Sequence, residues 1–314
     1  MSLADPGEQD ARRVTIRTVV YDHGRHNKSF NGCVHIWISA STPSEPSQVH
    51  LPYASIGWRC QENGIGMTMH CTETPSDLQI FKEHYKKSPM QFCESEYIAG
   101  PRTVLAHMAH LDLDVDLDIL RDTETSVSHS LASDLKFSNG TAPVVEMLNK
   151  GVNVALGTGA PYNDTYDMFR GMQVTAMLHA GQIRSWGVLM MVTVFGARAL
   201  RLENDIGSRE VGKKADFVAI SNKGLHCAPF DATLCFEGGL DPVTVVVHSC
   251  TGRDIQRVVV DGKTLVQNGK LVYMDEGRIC EAARQAGRGV KNRSGVLSSK
   301  HNCCFALEPI PSRC

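Results

Sequence analysis

The chain has 314 residues, 42% hydrophobic and 21% charged, with 32 Lys and Arg against 34 Asp and Glu for a formal charge of −2. That balance argues against nucleic acid or an anionic membrane surface as a partner. The length allows one large or two medium domains and a sizeable core.

Residues 1–30 read as a polar, irregular N-terminal segment interrupted by one apolar stretch, Val14–Tyr21. Asn31-Gly32 marks a turn before a strand at Cys33–Ile38. Helix and strand then alternate. The pattern predicts a helix over Gln48–Glu62, a strand at Gly66–Cys71, a helix over Ser76–Tyr85 and a strand at Thr103–Ala106. A helix at Asp114–Arg121, a strand at Ser126–His129, a helix at Pro143–Lys150 with proline in its first turn, and a strand at Val152–Leu156 follow. Two further helices, Thr165–Ala180 and Val188–Leu200, complete the run. The longest apolar stretch, Trp186 to Phe195, is too short to span a bilayer and reads as a buried helix. Met168, Phe169, Met172 and Met177 recur at helical spacing and read as core. Such alternation predicts an α/β fold around a parallel sheet.

After Leu202 the texture changes to short extended pieces: Asp216–Ile220, Val243–Val247 and Arg257–Val260. Asp261-Gly262 then signals a hairpin, with Thr264–Gln267 and Lys270–Tyr273 flanking Asn268-Gly269. Residues 203–275 therefore read as a small β domain, and residues 276–314 as one helix and a flexible polar tail. The 11 cysteines are scattered without a CxxC pair, so a disulfide framework is not expected. The first residues are polar and resemble no signal peptide, so the expected location is cytoplasmic.

Two apolar runs end in histidine. The first reads Met69-His70-Cys71-Thr72-Glu73 and the second Val104-Leu105-Ala106-His107. Strand ends carrying histidine, with helices between, are how a parallel barrel presents metal ligands and a proton shuttle at one mouth. His-x-x-Glu at a strand end serves both tasks, because the chain turns just past the strand. Alternation points Cys71 to the opposite face from His70. His107 also reads as a buried histidine bonded to backbone, and His110 and His129 read as structural.

Residues 33–275 resemble the amidohydrolase superfamily, in the branch of atrazine and melamine hydrolases, guanine deaminase and adenosylhomocysteine or methylthioadenosine deaminases. The motifs that carry the resemblance are Gly66-Met67-Thr68-Met69-His70-Cys71-Thr72-Glu73, Leu105-Ala106-His107-Met108-Ala109-His110-Leu111, Val127-Ser128-His129-Ser130 and Ser133-Asp134-Leu135-Lys136. Ala142-Pro143-Val144-Val145-Glu146-Met147-Leu148, Gly151 to Thr158, and Gly212-Lys213-Lys214-Ala215-Asp216 extend it. The resemblance implies a (β/α)8 TIM-like barrel at residues 31–202 beside a β-sandwich, and a divalent metal, usually zinc. It implies His70 and His107 as metal-site residues. Glu73 and His107 become the proton-handling groups for a water that attacks a small heterocyclic substrate and displaces ammonia, an amine or halide.

The departures bear on activity. The family's first-strand His-x-His occurs nowhere in the chain, and Gly157-Thr158-Gly159 lacks the eighth-strand aspartate; Asp164 and Asp167 come several residues too late. One β-α-β unit takes about 30 residues, so the 69 residues before His70 hold at most about two repeats. The expectation is therefore a partial barrel with its first two or three strands missing, whose open sheet edges favour homo-oligomers. His70 and His107 alone make too few ligands for tight metal binding, and the alternative expectation is a catalytically inactive homologue or binding protein.

Overall fold

The computed structural model describes residues 9–44, 52–159, 166–235 and 237–294. Contacts divide the chain after Gly269 into a large and a small unit. The small unit holds the helix Glu276–Ser294 where a helix is predicted; the predicted flexible tail lies outside the described residues.

The large unit opens with helix α1 (Gln9–His26). This corrects the expectation of an irregular segment, which arose because the polar residues there do not segregate to one face. Val19 anchors the helix in the core. The single turn α2 (Ser29–Gly32) and one bridge between Ser29 and Val34 replace most of the strand predicted at Cys33–Ile38. Strand β1 (Ile38–Ala40) begins only where that prediction ends. Trp37 lies so close over Gly66 that a Cβ there would meet its ring at 2.2 Å.

Regular alternation follows: α3 (Tyr53–Asn63), β2 (Met67–Cys71), α4 (Pro75–Ile80) with a π-helical turn at Phe81–Tyr85, and α5 (Pro89–Ser95). Then come β3 (Thr103–His107), α6 (Asp116–Asp122), β4 (Ser126–His129), α7 (Leu131–Phe137), α8 (Val144–Asn149) and β5 (Val154–Leu156). Strands β1 to β5 form one parallel sheet in chain order. That order is the winding of consecutive βα units, and it is the α/β barrel architecture the motifs imply. Among the described residues the sheet is open, with β1 and β5 at its edges.

Local chemistry explains the turns. Thr74 and Asp77 form a capping box ahead of Pro75, and Ser88 and Gln91 form another ahead of Pro89. The second signal marks α5, a helix the hydrophobic pattern does not predict. The core joins Met67, Met69, Leu105, Val127 and Val154 of the sheet to Phe81, Phe92, Leu120, Met147 and Met191.

Helices α9 (Met168–Leu178), α10 (Ser185–Val192) and α11 (Val194–Ala199) follow β5. The predicted helix at Val188–Leu200 is thus two, broken at Thr193, whose ψ of −93° leaves the helical region. Its Oγ1 donates instead to the Leu189 carbonyl at 2.7 Å. Met172 is buried as expected, but Met177 is exposed. Strands β6 (Phe217–Ile220), β7 (Ile255–Val260) and β8 (Lys263–Gln267) make a second, antiparallel sheet. Asp261 and Gly262 turn the β7–β8 hairpin with positive φ, and Asp216 Oδ1 holds the turn by accepting from Asp261 N at 2.7 Å. The predicted extended piece Val243–Val247 is instead helix α12 (Pro242–His248). Asp241 caps it, Pro242 occupies its first position, and its valines pack onto α9 and α10. Packing and the cap outweigh the β preference of branched residues. No described helix is long and apolar enough to cross a membrane.

Candidate functional site

The site forms where β2 and β3 end, at the carboxyl edge of the parallel sheet. In β2, Met67, Met69 and Cys71 point into the core while Thr68 and His70 point away, so the pleat alone presents His70 and buries Cys71. The His70 side chain is 56% exposed. Thr72 then adopts φ +46° and turns the chain, and Glu73 comes back beside His70, with Oε2 4.0 Å from its Nδ1.

His107 reaches the same place by another route. It pairs in register with Cys71, so extended backbone would aim it away from His70. Its φ is +73°, which swings Cβ to the other face. The two imidazoles then stand perpendicular, with centroids 5.0 Å apart. A non-glycine residue in this region is uncommon and collects at functional sites. The neighbouring loops are sewn together, with Met108 N donating to Cys71 O and Ala109 N to Thr72 O, both at 3.0 Å.

Behind His107 stands Asp134, on the first turns of α7 and fully buried. Its Oδ1 accepts from His107 Nδ1 at 2.6 Å. A carboxylate only accepts, so the ring proton sits on Nδ1, and Nε2 faces Glu73 Oε2 at 3.9 Å. Burial disfavours the charged ring, but the hydrogen bond and charge of Asp134 outweigh it and hold His107 above the ordinary imidazole value. His70 goes the other way: partial desolvation and then the charge of His107 lower it.

On the far side, Asn139 Nδ2 donates to Glu73 Oε1 at 2.9 Å. His110 Nε2 donates to the Asn139 carbonyl at 2.6 Å, in keeping with a structural reading of that histidine. His129, at the end of β4, is fully buried with neither ring nitrogen bonded to a protein group, and burial pushes it down to about 3.

The structure therefore brings His70, Glu73 and His107 together, and adds Asp134 and Asn139. The sequence carried Asp134 as a motif letter without a role and showed Asn139 only as the start of an Asn-x-Thr triplet, with no part in the site. The usable signal was their spacing along the short helix α7 and the turn that ends it, Ser130 to Gly140. Asp164 lies outside the described residues, and Asp167 caps α9 by accepting from Phe169 N at 2.9 Å.

Donor atoms of His70, Glu73 and His107 lie within 4.8 Å of one another, the only such group of three among the described residues. Tetrahedral zinc, with bonds near 2.0–2.2 Å, separates its ligands by about 3.4 Å. The 3.9 and 4.0 Å spacings to Glu73 are thus within reach of side-chain adjustment. Two imidazoles with a carboxylate beside them, one imidazole already oriented by a second carboxylate, are a donor set that fits a divalent cation. Glu73 stands within reach of the same space as the two imidazoles that the sequence supplies.

The profile of the amidohydrolase family matches residues 44–265. A 5'-deoxyadenosine deaminase of Methanosarcina acetivorans is 37% identical over 241 residues, 74% of this chain and 53% of that protein. A 5-methylthioadenosine/S-adenosylhomocysteine deaminase of Acetivibrio thermocellus is 32% identical over 263 residues, 81% of this chain and 58% of that protein. The chain spans about half the length of these curated relatives. Among solved structures, an adenosine deaminase from Xanthomonas campestris with bound zinc superposes with a TM-score of 0.80 at 21% identity, over 91% of this chain and 63% of that one. Atrazine chlorohydrolase from Arthrobacter aurescens, complexed with zinc, gives 0.75 at 23%, over 88% and 59%. At these identities the likeness is one of fold.

Proposed function

The chain belongs to the amidohydrolase family, and on that premise we propose that it carries the proton-transferring side of a metal-dependent hydrolase that removes an amino group from an adenine-type heterocycle. The observation that carries this reading is the convergence of His70, Glu73 and His107 on adjacent parallel strand ends, with Asp134 fixing His107. The substrate class comes from the names of the relatives, which are deaminases of 5'-deoxyadenosine and of methylthioadenosine or adenosylhomocysteine.

His70 and His107, the latter through Nε2, are the residues that would hold the cation, zinc foremost, with Glu73 beside them. Such an ion supplies Lewis acidity and lowers the pKa of water from about 15.7 to about 7. The chain's own groups do the rest. Glu73 Oε2 faces the space between the imidazoles, where it carries one proton of the attacking water to a ring nitrogen and then the second, from the same oxygen as the carbonyl forms, to the departing amine. Asp134 keeps the His107 ring in one tautomer and orientation, so Nε2 stays aimed at the reacting centre.

The test uses the full chain, purified with zinc or cobalt present. The expected results are close to one bound equivalent and ammonia release from at least one of 5'-deoxyadenosine, methylthioadenosine and adenosylhomocysteine. Less than about a tenth of an equivalent, which ligands of this kind should exceed, together with no ammonia, overturns the reading.

One observation favours a second reading, a catalytically silent member that binds the heterocycle. Gly159 holds φ +65°, and a Cβ there would lie 2.4 Å from Ser133 Cβ. A Cβ at Gly157 would lie 2.6 Å from Ser128 Oγ. The segment after β5 is packed too closely against α7 to carry a carboxylate at Gly159, and at Gly157 the Ser128 hydroxyl would have to turn aside. Metal binding and nucleoside binding without ammonia release would select this reading.

A further inference from the structure

Among the described residues, one short segment grips both proton-handling groups. Asp134 bonds His107, and five residues later Asn139 bonds Glu73. The two are also tied directly, since Asn139 N donates to the Asp134 carbonyl at 2.9 Å. Asn139 is buried at 8% exposure and its own carbonyl accepts from His110 Nε2. Gly140 follows at φ +107°, and a Cβ there would meet the His110 ring at 2.8 Å. The turn is thus clamped on both sides, by His110 on the backbone and by the absence of a side chain at Gly140.

The consequence for Glu73 is an asymmetry between its two oxygens. Oε1 is occupied by the amide of Asn139. Oε2 is the oxygen that faces His70 and His107. We propose that Asn139 is a positioning residue for Glu73: by holding Oε1 it fixes the carboxylate plane and reserves Oε2 as the oxygen that accepts and delivers the proton. This inference rests on the proton-transfer reading of Glu73 given above. A carboxylate free to rotate would spend part of its time with neither oxygen aimed at the reacting atoms, and small misplacements of this kind cost large factors in rate.

Two arms test it. The first needs no activity. In protein labelled with 15N at asparagine side chains, Glu73→Ala is expected to move the Asn139 amide resonance. The amide of Asn63, which bonds the Arg59 carbonyl elsewhere, stays in place. The second arm is a double-mutant cycle on ammonia release. Asn139→Leu and Asn139→Asp, the latter keeping shape but facing one carboxylate with another, are expected to lower kcat by about 10–100-fold with little change in KM. Asn139→Ser, which retains a donor, recovers part of that loss. In a Glu73→Gln background the Asn139 substitutions should cost less than about threefold, because a residue acting through Glu73 has nothing left to position. Losses that add in full in the two backgrounds, or an Asn139 amide unmoved by Glu73→Ala, overturn the inference. If the wild-type chain releases no ammonia from any adenine nucleoside, the functional reading fails on its own, and the amide arm alone decides whether Asn139 holds Glu73.

Discussion

Asp134 Oδ1 lies 2.6 Å from His107 Nδ1, with both groups buried and the histidine backbone held at φ +73°. A carboxylate in this position outweighs the desolvation of the ring and raises its affinity for a proton. Asp134→Asn keeps the shape and removes the charge. The His107 pKa should then fall, because burial is left less opposed. Metal affinity and kcat should each drop by about 10–100-fold, the usual cost of losing a carboxylate behind a ligating histidine. Imidazole NMR titration and metal competition measure the two effects. A His107 pKa that is unchanged or higher in Asp134→Asn contradicts the assignment.

Glu73→Gln removes the proton carrier but keeps an acceptor for Asn139. The expected result is a kcat loss of about 10²–10⁴ with the fold and KM retained. Retention of more than a tenth of the wild-type kcat would move the proton-transfer role to another group.

The pH dependence of stability follows from His129. Burial holds this ring down to about 3, against an ordinary value of 6.5. Below pH 6.5 the unfolded chain binds a proton that the folded chain refuses until about pH 3. Stability present above pH 6.5 is therefore lost as the pH falls toward 3, by up to about 1.4 kcal/mol per pH unit from this residue. His70 and His179, also lowered by desolvation, add to the same slope. His107 does not: its raised pKa contributes stability that is complete below the unfolded value and declines only as pH rises through the folded one. Urea midpoints at pH 7, 6 and 5 measure the slope, and His129→Phe should flatten it.

Much of this site was legible before any coordinates. His70 and Glu73 were readable because the pleat fixes which strand residues face out, and because His-x-x-Glu spans one turn of chain. His107 was readable as a strand end, but its presentation depends on a left-handed backbone that no periodicity encodes. Asp134 and Asn139 were not legible as partners. They sit in sequence far from the groups they hold, and only the stacking of β2, β3 and α7 brings the three loops together. The sheet order followed from alternation, whereas α5 and α7 were missed because each shares its strand-to-strand crossover with another short helix, and alternation anticipates one helix per crossover.

The tight segment after β5 gives a packing prediction. Gly159→Ala places a Cβ 2.4 Å from Ser133 Cβ and forces a side chain onto φ +65°. Overpacking and left-handed strain together should cost about 1–3 kcal/mol or more. Gly159→Asp should cost at least as much and should not improve metal binding. A Gly159→Asp protein that is as stable as wild type and holds zinc more tightly would show that this loop moves freely enough to complete a ligand set.

Helix α12 tests the physics that overturned the strand reading of Val243–Val247. Its three buried valines, at positions 243, 245 and 247, alternate as a strand would, so the hydrophobic pattern alone favours the wrong answer. What decides for a helix is the start: Asp241 Oδ2 accepts from Thr244 N and from Thr244 Oγ1, each at 2.9 Å, and Pro242 sets the first helical residue. Those hydrogen bonds hold the Asp241 carboxyl below its ordinary value despite the opposing effect of desolvation. Asp241→Ala should therefore destabilise the protein by about 1 kcal/mol, while Asp241→Asn, an equally good cap, should cost little. The difference should shrink as the pH falls through the lowered Asp241 pKa, since a protonated carboxyl accepts less strongly. A strand at this position has no use for the cap, so equal stability of wild type and Asp241→Ala in urea titrations would return the segment to the extended reading.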